Sequence, residues 1–205
     1  MAKDDAFGVF SGEPRTVWLT EPTTDRRMKL LEAFTFTDAA GRVWDAPKGH
    51  RVDGASIPRA LWTAVGSPYT GDYRRASILH DVHCDRHPQD GPERRAGDAM
   101  FYAACRAGGC DRLAAKLLFL GVRLGSSWAR KGLRPPEAES RIRLRPSIDD
   151  KALQDEFARL GQEVAAEDAA IGPGLGLVGK PERPSEAIAQ VDAVLAAHGH
   201  APALD

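Results

Sequence analysis

The sequence predicts an α+β protein: a small antiparallel β-sheet near the N-terminus, then a helical hairpin core, then a C-terminal helical extension. Three observations predict it. Residues 15–47 hold short β-branched and aromatic runs bounded by turn signals. Residues 71–130 hold three stretches with helical start and stop signals. Beyond Leu133 the character shifts to charged, amphipathic patterns around a Gly/Pro stretch. Residues 1–133 are therefore read as a β-rich segment plus a three-helix core that carries the motifs. Residues 134–205 are read as a helical, linker-containing extension.

In chain order, "RTVWLT", "MKLLEAFTFTD" and "GRVWDAP" read as strands, and "TFTDAAGRVW" as a hairpin turning at "DAAG". In "HRVDGASIPRALW", Asp53-Gly54 signals a turn and Ser56 is placed to cap. Pro58 stands early in a short helix, where a missing N–H costs little. "GDYRRASILHDVHCDRH" reads as a helix that puts Tyr73, Ala76 and Leu79 or His80 near one face. "GPERRAGDAMFYAACRAGG" is a second helix, with Pro92 at its start and Gly108-Gly109 at its stop. "DRLAAKLLFLGVRLGSSWAR" is a third, the most apolar and therefore central. "IDDKALQDEFARLGQEVAAEDAAI" and "PSEAIAQVDAVLAAHGH" supply the extension, with "GPGLGLVGKPERP" between them.

Composition narrows the function. The 205 residues carry a formal net charge of -1, with 42% hydrophobic and 28% charged residues. That is a globular balance without a broad basic footprint, so no nucleic-acid partner is expected. Cys84, Cys105 and Cys110 form no CxxC pair and are too few for a disulfide framework. Free thiols in a reducing compartment are expected. The start "MAKDDAFGVF" has no apolar run of a signal peptide, so cytoplasmic synthesis is expected. Delivery by a phage particle or a secretion machine stays open. "LAAKLLFLGVRL" is short for a membrane span and carries Lys116 and Arg123. Any meeting with a membrane is expected from the surface.

The chemistry concentrates in "ILHDVHCDRH", residues 78–87. If the two helices form a hairpin, His80 lies about two turns before the loop and Asp98 about two turns after the second helix starts. The two can face each other. A carboxylate opposite a histidine fixes the imidazole tautomer and stabilises its cation, as a general base requires. Asp81, about 100° round the helix, could ligate a hard cation with Asp53 and the carbonyls of its turn. The plainer reading is a buried His–Asp pair that ties two helices together. His83 lies three residues from His80 and four from His87, so either pair shares a helix face. With Asp81, Asp85 or Cys84 they would make a zinc shell, and otherwise they are solvent-facing polar residues. Ser56 lacks the G-x-S-x-G context of a nucleophile.

Three ordered motifs, "VDGASIPRALW", "YRRASILHDVHC" and "RRAGDAMFYAAC", resemble a phage-associated domain family of unknown function, over roughly residues 28–128. "ILHDVHC…RRAGDAMFYAAC" is also similar to the catalytic helix pair of secreted phospholipase A2. That resemblance implies His80 as the base that activates water, Asp81 as a calcium ligand and Asp98 as the residue that orients the histidine. The usual Gly-rich calcium loop and the disulfides are missing here, and Cys84 stands where a tyrosine is usual. Ca2+ is thus the expected cofactor and Zn2+ the alternative. The expected substrate is a lipid or another ester, at a membrane surface. Two other readings stand beside it. One is a phage tail or virion accessory protein that docks through its C-terminal helices. The other is an HD-type phosphohydrolase, in which His50, His80, Asp81 and Asp98 would share metals.

Overall fold

Asp38 makes the hairpin turn. In the computed structural model its Oδ1 accepts the backbone N–H of Ala40 and of Arg42, at 3.0 and 2.9 Å. Its Oδ2 accepts Trp44 Nε1–H at 2.9 Å. An aspartate that takes its own downstream amides in this way is a standard turn device. The strands so joined are β4 (Phe34–Asp38) and β5 (Val43–Ala46). Phe34 faces Ala46 and Phe36 faces Trp44 across the ladder, and all four are buried. The structure describes residues 6–20, 27–54, 57–66, 71–88, 91–130, 148–170 and 183–200.

The strands divide into two three-stranded antiparallel sheets, where the sequence suggested one. β1 (Gly8–Phe10), β4 and β5 form the first, in the order β1-β4-β5. β2 (Thr16–Trp18), β3 (Met28–Leu30) and β6 (Arg51–Val52) form the second, in the order β2-β3-β6. Strands of two to five residues carry too little pattern for a sequence to assign their partners.

After β6 the chain makes a 3-10 turn, Arg59–Leu61, that runs into α1 (Trp62–Val65). α2 (Arg74–Arg86) and α3 (Pro92–Gly108) form the expected antiparallel hairpin. α2 packs on β5 and β6, and α3 on β1 and β4. α4 (Arg112–Arg130) packs on α3, α5 (Ile148–Ala170) and α6 (Pro184–Ala197), and α6 also meets α3. Leu120 and Leu124 of α4 are fully buried, as are Leu153 and Leu160 of α5 and Val191 of α6. One continuous apolar core therefore runs from the sheets to the last helix.

Two cations of α4 are buried with it. Lys116 donates to Asp168 of α5 and to Gln190 of α6, each at 2.7 Å. Arg123 reaches Asp98 of α3 and Asp192 of α6. Gln154 of α5 donates to the Ala60 carbonyl in the 3-10 turn at 2.7 Å. Among the described residues no helix is long and apolar enough to cross a membrane.

Candidate metal and proton-transfer site

The α2–α3 hairpin brings His80 and Asp98 together as the sequence predicts. His80 Nε2–H donates to Asp98 Oδ1 at 2.8 Å, and neither residue exposes any surface. Gly97 permits the close approach of the helices. A Cβ built there would lie 2.2 Å from Cδ2 of His83, on the facing helix. His80 also stacks obliquely on Phe101, with ring centroids 4.8 Å apart. The Cys84 sulfur, one turn further along α2, lies 3.6 Å from both imidazole nitrogens.

Charges surround this pair. Arg123 Nη1 donates to Asp98 Oδ2 at 3.2 Å, and Arg94 Nε lies 3.7 Å from Oδ1. Burial works against an imidazolium at His80, but the Cys84 sulfur and the Asp98 carboxylate more than offset it and hold its pKa up to about 9. Burial likewise opposes ionisation of Asp98. The hydrogen bond and charge of His80, then Arg94 and Arg123, prevail and keep it below the ordinary carboxylate range. The resting pair is an ion pair, and His80 becomes a base as it loses its proton toward pH 9.

Asp81 turns the other way, toward the Asp53-Gly54 corner. The sequence suggested that this corner would offer carbonyls. Instead the Asp53 backbone N–H donates to Asp81 Oδ2 at 2.8 Å. Gly54 takes φ +109°, a left-handed value that suits glycine and shapes the corner. Asp81 is buried, and burial followed by the Asp53 charge pushes its pKa well above the ordinary carboxylate range. The donors here are hard carboxylate oxygens, the type that calcium takes. Among the described residues no third His, Cys, Asp or Glu joins Asp53 and Asp81 in a compact ligand group.

The other candidates lie apart from the His80–Asp98 pair. His83 is buried rather than solvent-facing, and its Nε2–H donates to the Glu93 carbonyl at 2.7 Å. Tyr73 stands just before α2, two turns from His80, where burial and the neighbouring Cys105 and Cys110 push its hydroxyl up to about 12. Ser56 lies outside the described residues. His50 pairs with Asp85 at 3.1 Å and shares no ligand group with His80, Asp81 or Asp98 among the described residues.

Among the described residues two groups have the spacing to hold a divalent ion: His80, Cys84 and Asp98, all buried, and His83, also buried, with His87 and Glu93, which reach the surface. Sequence reasoning missed three supporting residues here: Gly97, Arg94 and Arg123. "RRAGDAM" held a signal for the first, a glycine inside a helical pattern, which marks a close approach.

Residues 28–122 match the model of a family described as a protein of unknown function, DUF1353. The match spans every candidate residue above except Arg123, and it stops before α5 and α6. The chain is similar to two proteins of Sinorhizobium fredii (strain NBRC 101917 / NGR234). Uncharacterized protein y4jT is 36% identical over 127 residues, which cover 60% of this chain and 35% of that one. Uncharacterized protein y4iH is 41% identical over 106 residues, which cover 51% of this chain and 43% of that one. The matched parts thus span less than half the length of either relative. No solved structure matches.

Proposed function

We propose that the chain is a metal-assisted hydrolase of esters, with His80 as general base and Asp98 as its orienting partner. The observation that carries this reading is the His80–Asp98 bond of 2.8 Å across two antiparallel helices, with Asp81 on the adjoining residue turned to a second acidic corner. Asp98 accepts the hydrogen bond from Nε2–H, so Nδ1 is the atom that takes a proton from water. Asp81 and Asp53 would hold a hard cation. When bound, that cation polarises the ester carbonyl and stabilises the developing oxyanion.

The substrate class in this reading is a lipid ester. It is supported by exposed apolar surface on the second sheet: Val17, Trp18 and Leu31 are each more than 40% exposed. Lys29, the cross-strand neighbour of Val17, is exposed as well. Val17, Leu31 and Lys29 share one face of the strand pair while Trp18 lies on the other, and apolar and cationic side chains together suit an anionic lipid surface.

A second reading has its own observation. His80 and Asp98 expose no surface, and two arginines grip Asp98 from other directions. In that reading the pair is a staple, and the chain serves a larger assembly such as a phage tail.

One experiment separates them. The purified chain and its His80→Gln variant are incubated between pH 7 and 10 with mixed phospholipid vesicles or a soluble short-chain ester. Calcium, zinc or a chelator is added in turn, and products are read by mass spectrometry. Fatty acid release that needs His80 and a metal, and rises with pH, supports the hydrolase. No release from either substrate at any pH, together with a lowered melting temperature in His80→Gln, overturns it in favour of the staple.

A further inference from the structure

We propose that His83, His87 and Glu93 form a second cation site, for a transition metal of the zinc class, at the open end of the α2–α3 hairpin. It is separate from the acidic corner at Asp53 and Asp81 and does not depend on the hydrolase reading.

Geometry carries the proposal. One ligand atom from each of the three residues lies within 4.8 Å of the others. His83 and His87 stand one helical turn apart, with ring centroids 4.6 Å apart. Glu93 comes from the first turn of α3, so the group bridges the two arms of the hairpin. His83 is 7% exposed, and its one hydrogen bond among the described residues is from Nε2–H to the Glu93 carbonyl. That bond places the proton on Nε2 and leaves the Nδ1 lone pair without a partner among the described residues. A ring whose second nitrogen is held by a carbonyl is how metal-binding histidines are commonly oriented. The edge of Trp44 packs on the His83 ring at 5.0 Å and shields it from solvent on that side.

The donor set selects the metal. Two imidazoles and one carboxylate suit zinc, nickel or copper, whereas calcium and magnesium take oxygen alone. Three protein ligands, two of them reaching the surface, leave a fourth position for water. Arg42 is the competitor, with its Nη2 donating to Glu93 Oε2 at 2.9 Å. That pair is about half exposed, 46% and 53%, so it is weak and can be displaced by a divalent ion.

The test is calorimetric titration of the chelator-stripped chain with zinc chloride, and separately with calcium chloride. Cobalt absorption reports the ligand set independently. Zinc is expected to bind at a single site. His87→Ala and Glu93→Gln, both at positions with exposed surface, should each weaken zinc by roughly 10-fold or more, while Asp81→Asn leaves it unchanged. Arg42→Ala, which releases the Glu93 carboxylate, should tighten zinc several-fold. The site is overturned if the wild-type chain binds no zinc at millimolar concentration. It is equally overturned if His87→Ala and Glu93→Gln bind zinc as tightly as wild type, or if Arg42→Ala weakens it.

Discussion

Stability should fall as pH rises through about 9, because His80 holds its proton more tightly in the folded protein than in the unfolded chain. The ordinary histidine value is 6.5, and the folded value is about 9. A group raised on folding contributes its full stabilisation below the unfolded value and loses it as pH climbs through the folded one. At about 1.4 kcal/mol for each tenfold change in proton affinity, the difference is roughly 3 kcal/mol. That is a sizeable part of a typical 5–15 kcal/mol total. With a urea slope of roughly 2–3 kcal/mol per molar, the unfolding midpoint should drop by about 1 M between pH 6.5 and 10. Lysines, tyrosines and free thiols also titrate in this window, so the measurement is a difference. Urea midpoints are taken across pH for wild type and for His80→Gln, which has no proton to lose. The two curves should converge at high pH. In Asp98→Asn, Cys84 alone opposes burial at His80, so the fall in stability between pH 6.5 and 10 should be smaller than in wild type. Parallel curves for wild type and His80→Gln would refute the ion pair.

Three further outcomes follow from the packing. Gly97→Ala drives a methyl into the His83 ring, 2.2 Å from Cδ2. It should cost roughly 1–3 kcal/mol, seen as a melting temperature lower by several degrees, and an unchanged melting point would deny the close contact. Asp168 is buried beside Lys116 and Arg112. Burial opposes its ionisation, yet the two cations hold it below the ordinary range. Its contribution is therefore present above about pH 4 and disappears as pH falls through its lowered value. Asp168→Asn should be less stable than wild type at pH 7, with the gap closing toward pH 2, and a gap independent of pH would contradict the pairing. Leu160→Ala empties a fully buried position on α5. It should cost roughly 2–5 kcal/mol in urea unfolding, and a loss below about 1 kcal/mol would mean that α5 does not share the core.

Local signals were the legible ones. The hairpin showed in "DAAG", because Asp38 takes its own downstream amides and needs no distant partner. The helices showed through Pro92 at the start of α3 and Gly109 at its end. The facing of His80 and Asp98 followed from counting turns on either side of the loop. What depends on distant residues did not show. Lys116 and Arg123 read as reasons against a membrane helix, yet both are buried. Asp168 and Gln190 lie 52 and 74 residues after Lys116, and no spacing rule connects them. The approach of Cys84 to His80 was open to a turn count, since they stand four apart. The Asp53 amide on Asp81 was not, because sequence does not tell which side of a turn faces the helix.

Charge, more than distance, decides where a cation belongs in this hairpin. His80, Cys84 and Asp98 satisfy the spacing for a metal, and their donor types suit zinc. But Asp98 already has two guanidinium groups within 3.7 Å. At an effective dielectric of about 20, each unit pair at such range is worth about 4 kcal/mol, and a metal would meet both arginines as like charges. The His80 proton is then the extra positive charge that this pocket accommodates, and it is a charge that can leave. At the next residue of α2 the balance reverses. Burial, with the charges of Asp53 and Asp85, raises the cost of ionising Asp81. There a cation relieves repulsion instead of adding to it. In the reading proposed above, the same two helices separate the tasks by electrostatics: proton exchange at His80, hard-cation binding at Asp81, and borderline-metal binding where His83 and His87 meet Glu93. Exchanging Arg123 for Met should blur that separation. With one guanidinium gone from Asp98, zinc should bind at His80 and Cys84 as well, read as a second site in the same titration. A single unchanged site in Arg123→Met would mean that the arginines do not keep metal out.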